Sequence, residues 1–228
     1  MATKRTLPKK TKATKKNFTN LIIIDASGSM ASKAIEVVGG VKNLFKDIKE
    51  DAAKNPKVKS TTIVVDFSSA KDYRELINTT DPDALLDSVA EAYSTRGWTA
   101  LYDAIGFAFA KVPADQDGVF VNILTDGEEN DSKELRSKDV KALIAAGKAK
   151  GWAITFMGTD ENCINTAVSL GISKGNTMQF MNTAAGVRGS LETTKLSRTA
   201  YYTNTVTLSA PAADFDLENI VNTVTESK

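Results

Sequence analysis

The sequence predicts an α/β fold: a mostly parallel β-sheet covered by helices on both faces. Two observations carry this reading. Short runs of aliphatic and β-branched residues alternate along the chain with stretches whose apolar residues recur every three or four positions. The first of these runs, at 21–24, is apolar throughout, as a strand buried on both faces is. Strands that alternate with helices in this way connect by right-handed crossovers. The overall composition, 42% hydrophobic and 25% charged, supplies enough apolar material for a sizeable core.

In chain order, residues 21–24 form the first predicted strand, ending at Asp25. Ile35, Val38, Val41, Leu44, Phe45 and Ile48 follow at helical spacing, and Asn55-Pro56 stops that helix. Gly39 and Gly40 lie inside it, where each costs about 1 kcal/mol relative to alanine, so close packing or a bend is expected there. Residues 61–67 are a strand, and 73–77 a shorter one placed to pair antiparallel with it. Asp81-Pro82 opens a helix carrying Leu85, Leu86 and Val89. A helix over 99–111 closes at Pro113, and 119–124 is the next strand. Helix 132–150 presents Leu135, Val140, Leu143 and Ile144 inward, followed by strand 152–157. Helix 161–170 ends at Gly171, strand 177–181 follows, and a weaker helix is expected near 184–195. Beyond Ser197 periodicity fades, and a short added strand is expected at 203–208.

Charge divides the chain. Residues 1–16 carry seven basic side chains and no acidic one, so the +7 of this head against a total of +1 leaves −6 behind it. We therefore expect a basic, disordered arm over 1–17, a folded domain over 18–196 and a C-terminal tail over 197–228. The arm is suited either to plain solubility or to contact with nucleic acid or an acidic partner. The longest aliphatic run, 21–24, is far shorter than the roughly 20 residues of a membrane span. The basic head is not followed by a long apolar segment, so no secretory signal is expected and the cytosol is the expected compartment.

Composition also restricts chemistry. The chain has no histidine, which excludes Ser-His-Asp and Cys-His catalysis and any His-ligated metal. Its single cysteine, Cys163, excludes an intrachain disulfide and a cysteine-cluster zinc site and reads as a small buried residue.

In doubly wound sheets, ligands bind outside the carboxyl ends of the strands. The first strand ends in D-A-S-G-S, where Asp25, Ser27 and Ser29 alternate and so point the same way in extended chain. Thr99 follows Gly97 at a helix start, and Asp126 stands at the end of strand 119–124. Taken singly, the aspartates also read as strand-end caps and the hydroxyl residues as helix caps. Together, two carboxylates and three hydroxyls suit a hard dication such as Mg²⁺, with some groups acting through water and one position left open; Mn²⁺ and Ca²⁺ stay open as alternatives. An ion without a direct carboxylate remains electrophilic and favours an anionic last ligand. Glu128 and Glu129 read as a solvated loop beside the site, and Asp160, Glu161 and Asn162 as helix capping. Arg96 and Trp98 flank Thr99, either as an interface rim or with Trp98 packed as a core lid.

The segments D-A-S-G-S, G-W-T-A-L-Y-D-A-I and L-T-D-G resemble the von Willebrand factor type A (vWA) domain with a complete metal-ion-dependent adhesion site (MIDAS). Asp25, Ser27, Ser29, Thr99 and Asp126 match its pattern without a gap over roughly 18–182. Segment 97–105, and F-M-G-T-D-E-N running into T-A-V-S-L-G-I, are similar to small stand-alone bacterial and phage members. The resemblance implies a Rossmann-like six-stranded sheet in the order 3-2-1-4-5-6 with one antiparallel edge. It also implies direct metal ligation by the two serines, direct or water-mediated ligation by Thr99, and water-mediated roles for both aspartates. An acidic side chain of a partner protein then takes the open position. The expected function is a metal-dependent, non-enzymatic adhesion or adaptor module. One alternative is a phage or bacterial structural or assembly protein whose arm contacts nucleic acid. The other is a phosphotransfer enzyme, against which Ser27 stands where a second aspartate belongs, with neither a completing lysine motif nor a Walker sequence.

Overall fold

A computed structural model describes residues 16–84, 89 and 91–205. Residues 1–15 of the expected arm, residues 206–228 and part of the helix expected after Asp81-Pro82 lie outside the described residues. The strands are β1 (Lys16–Asp25), β2 (Val58–Phe67), β3 (Tyr73–Thr79), β4 (Gly118–Leu124), β5 (Ala153–Gly158) and β6 (Thr177–Gln179). The helices are α1 (Ala34–Lys54), α2 (Leu101–Ala110), α3 (Ser137–Ala149), α4 (Glu161–Ser169) and α5 (Ala184–Thr203). The six strands form one sheet in the order β3-β2-β1-β4-β5-β6, as the family resemblance implied. Only β3 runs antiparallel, against β2.

The alternation of side chains along each strand builds a core on each face of the sheet. Leu21, Ile23, Ile63, Val65, Val121 and Ile123 face one side, where α2, α3 and α4 contribute Leu101, Ile105, Val140, Ile144 and Ala167. Ile22, Ile24, Val64 and Leu124 face the other, where α1 and α5 contribute Val37, Val41, Phe45, Val187 and Leu191. Ile35, expected inward, is instead 84% exposed, and Val37 holds the buried first-turn position of α1.

Several boundaries differ from the hydropathy pattern, each because a polar group is buried with a partner. Strands β1 and β2 begin earlier than expected: Asn20 is buried and its Nδ2 donates to Ser60 Oγ (3.1 Å) and the Thr61 carbonyl (3.3 Å). The helix expected from residue 132 starts at Ser137. Asp103 of α2, buried, accepts the backbone N–H groups of Lys133 (2.8 Å), Glu134 (3.0 Å) and Leu135 (2.7 Å) and holds that stretch as a turn. The last helix, expected near 184–195, runs to Thr203, so Thr203 belongs to a helix and not to an added strand. Its inward residues include Thr194, Ser197 and Arg198, which conceal the helical period from a hydropathy reading. Arg198 Nε donates to Asn20 Oδ1 (2.7 Å), its guanidinium pairs with Asp51, and its Cζ lies 4.7 Å from the Tyr202 ring centroid. Beyond Pro82–Ala84, a single tight turn, Val89 is fully buried.

The two glycines of α1 separate cleanly. A Cβ on Gly40 would lie 2.4 Å from Leu191 Cδ1, so glycine is what lets α1 and α5 approach. A Cβ on Gly39 would meet nothing within 4 Å. Gly39→Ala is expected to raise stability by about 0.5–1 kcal/mol through helix propensity and reduced unfolded-state entropy. Gly40→Ala is expected to lower it by about 1–3 kcal/mol through overpacking. Urea denaturation of both variants checks the pair of opposite signs.

Candidate metal site

β1 and β4 are parallel neighbours, with Ile24 paired to Leu124, so their chains leave the sheet side by side. Asp25 therefore emerges beside the Thr125-Asp126 turn. Both carboxylates are buried, Asp25 at 0% and Asp126 at 6% exposure. Burial pushes the Asp25 carboxyl up to about 6, against the opposing pull of hydrogen bonds from Thr125 and Ser27. The Ser27 N–H donates to Asp25 Oδ1 (2.7 Å), and Thr125 Oγ1 donates to Asp25 Oδ2 (2.6 Å). Tyr93 OH donates to the Asp25 carbonyl (2.7 Å) and fixes the backbone of the strand end.

The hydroxyls bridge the two acids. Ser27 Oγ lies 3.0 Å from Ser29 Oγ, and Ser29 Oγ donates to Asp126 Oδ1 (2.7 Å). Ser27 precedes the tight turn Gly28–Lys33 without capping it through its side chain, so its hydroxyl faces Ser29. Thr99 is 4% exposed and reaches the same turn: a Cβ added to Gly127 would stand 3.4 Å from Thr99 Oγ1. All five residues singled out in the sequence thus converge at the carboxyl ends of β1 and β4. Asp126 Oδ2 is buried and pairs with the Lys33 ammonium, 2.5 Å away.

The loop that delivers Thr99 is braced from behind. Gly28 N–H donates to the Gly97 carbonyl (3.2 Å) and Arg96 N–H to the Ala26 carbonyl (2.6 Å). Gly97 has φ +55°, and a Cβ there would lie 2.3 Å from Ser69 Oγ, so glycine is required. Thr99 N–H donates to Asn130 Oδ1 (2.9 Å), while the Thr99 carbonyl accepts from Asn130 N–H (3.0 Å). Arg96 belongs to this brace: its Nη2 donates to Asp66 Oδ1 (3.0 Å) and its Nε to Asp72 Oδ2 (2.8 Å). Arg74 holds the other flank of the fully buried Asp66, with Nε at 3.0 Å from Oδ1. Trp98 is 68% exposed, so it is no core lid. Glu129, read as solvated, accepts from Tyr102 N–H (2.9 Å) and Ser132 N–H (2.7 Å) and ties the loop after β4 to α2. Asp160 caps α4 as expected, accepting from Cys163 N–H (2.8 Å).

Sequence reasoning missed Lys33, Thr125 and Asn182. Thr125 lay in plain view between the apolar strand and Asp126. The other two meet only through packing: Lys33 Nζ donates to Asn182 Oδ1, in the segment between β6 and α5.

Among the described residues, no group of three or more His, Cys, Asp or Glu side chains is placed to hold a metal ion. Any cation here would rest on two acids and on hydroxyls. No helix of the described residues is long and apolar enough to cross a membrane.

The architecture defines a Rossmann-like domain with its polar cleft at the switch in strand order. The von Willebrand factor type A domain model matches residues 21–193, and the chain belongs to that family. Solved structures agree on the fold. The pilus adhesin SpaC from Lactobacillus rhamnosus GG superposes with a TM-score of 0.64 at 15% identity, over 79% of this chain and 30% of that one. The vWF domain of the type V pili tip protein Mfa5 from Porphyromonas gingivalis gives 0.58 at 10% identity, over 82% and 97%. Proximal thread matrix protein 1 from the mussel byssus gives 0.57 at 17% identity, over 80% and 46%. The chain thus spans less than half the length of the mussel and SpaC chains. No curated protein matches the sequence.

Cys163, 2% exposed, has its thiol pushed up to about 11, chiefly by burial and then by the Asp160 carboxylate. About one thiol in a thousand is then ionised at pH 8, against roughly a quarter for a free cysteine. Native protein at pH 8 is expected to react with a disulfide reagent at least a hundredfold more slowly than protein in 6 M guanidinium, and the native rate should climb up to about pH 11. Stopped-flow absorbance checks both.

Proposed function

We propose that this vWA domain is a metal-dependent protein-binding module whose Mg²⁺ is held at the ends of β1 and β4 by Ser27, Ser29, Thr99, Asp25 and Asp126. The observation that carries the reading is the continuous oxygen cluster from Asp25 through Ser27 and Ser29 to Asp126, ending on a buried carboxylate oxygen that faces a positive charge, the Lys33 ammonium. Lys33 balances only one of the two buried carboxylates, which leaves room for a further cation, and the donors are hard oxygens throughout. The bound ion would supply a Lewis-acidic position for an acidic side chain of the partner. Such a charge-assisted contact gains strength in a partly dry cleft.

The surface around the cleft supports a protein partner. Of the large apolar residues that stand exposed among the described residues, Ile35, Trp98 and Met181 each lie within two positions of Lys33, Thr99 or Asn182. Exposed large apolar side chains next in sequence to a polar cleft suit a protein partner. The pilus adhesins with this fold are consistent with an adhesive role.

Calorimetric titration of Mg²⁺ into metal-free protein is expected to show one site. Asp25→Ala should abolish it with far-UV circular dichroism unchanged, since Asp25 is the last residue of β1 and alanine keeps its backbone pairing. Absence of divalent-ion binding at millimolar concentration would overturn the reading.

A further inference from the structure

We infer that Lys33 is a resident cation of the Asp25–Asp126 cleft: it competes with the divalent ion for the carboxylates and, once that ion is bound, leaves the cleft with a net positive charge that selects an anionic partner. The inference rests on the metal-site reading above.

The geometry is that of a built site. Lys33 ends the tight turn Gly28–Lys33, and its side chain is 4% exposed. Its Nζ stands 2.5 Å from Asp126 Oδ2, whose side chain is fully buried. The same ammonium donates to Asn182 Oδ1, which anchors it from the segment after β6. A lysine is rarely buried unless it is paired, because removing an ammonium from water costs several kcal/mol. Here the pairing is with a carboxylate that the metal would also use.

The charge balance gives the consequence. Asp25 and Asp126 supply −2, and Lys33 brings the cleft to −1 before any metal is bound. A divalent ion then makes it +1. With a neutral residue at position 33 the empty cleft is −2 and the loaded cleft is neutral. Lys33 therefore weakens the attraction of the cleft for the metal and strengthens the attraction of the loaded cleft for a carboxylate. This gives the metal-loaded domain a reason to hold acidic side chains beyond the ion's own open position.

The test is calorimetry on the full chain, with Mg²⁺ alone as the first probe and acetate titrated into Mg²⁺-saturated protein as the second. Wild type is compared with Lys33→Met, with Lys33→Gln as a polar second variant should the first fail to fold. Asn182→Ala removes the anchor but keeps the charge. Neutral residues at position 33 are expected to tighten Mg²⁺ binding at least tenfold and to weaken acetate binding at least threefold, while Asn182→Ala changes Mg²⁺ affinity by less than threefold. If Mg²⁺ affinity at neutralised position 33 stays within twofold of wild type, or if Asn182→Ala tightens it equally, the inference is overturned and the metal site stands. If wild type binds no Mg²⁺ but the neutral variants do, the inference is supported and the metal-loaded reading of the natural chain falls. If none binds, both are overturned.

Discussion

The burial of two carboxylates at the ends of adjacent parallel strands is the constraint around which this domain is organised. Asp25 and Asp126 are brought together by the pairing of β1 with β4, which the hydrophobic runs of those strands enforce. Burial raises the energy of the ionised Asp25, whose carboxyl is pushed up chiefly by loss of water and only lastly by the Asp126 charge. Every nearby polar group answers that cost. Thr125 and the Ser27 amide satisfy Asp25, Ser29 satisfies one oxygen of Asp126, and Lys33 pairs with the other.

A second buried acid, Asp66, does for the loop what the cleft acids do for the site. Held between Arg74 and Arg96, it fixes the backbone that carries Gly97 and Thr99. Gly97 then passes close over Ser68 and Ser69 in a conformation that suits no other residue. The position of Thr99 is thus a product of charge pairing on β2 and β3, one strand over from Asp25. A similar device closes the opposite end of the sheet, where Arg198 joins α5 to Asp51 of α1 and Asn20 of β1. A buried charge of this kind resists removal of its partner more than it stabilises the fold outright.

The alternation of strands and helices, the antiparallel edge and the oxygen-bearing residues Asp25, Ser27, Ser29, Thr99 and Asp126 at the strand ends were legible in the residues themselves, because apolar periodicity and strand-end chemistry are local signals. The sheet order came only with the resemblance to the vWA family. Legibility failed where a polar residue occupied an inward position. Thr194, Ser197 and Arg198 concealed the last turns of α5, and Asn20 and Thr19 concealed the first half of β1. Local apolar pattern also misplaced Ile35, because two inward readings of α1 differ by only a fraction of a turn and the sheet alone chooses between them.

The sequence by itself determined the class of fold, the placement of six strands and the oxygen-bearing residues at their ends. Tertiary structure alone decided which charges meet. Arg96 reaches back 30 positions to Asp66, Arg198 reaches back 147 to Asp51, and Lys33 reaches forward 149 to Asn182. Such pairs carry no periodicity and no fixed spacing. They exist because burial makes an unpaired charge costly, and the partner is whichever residue the packed elements bring within reach.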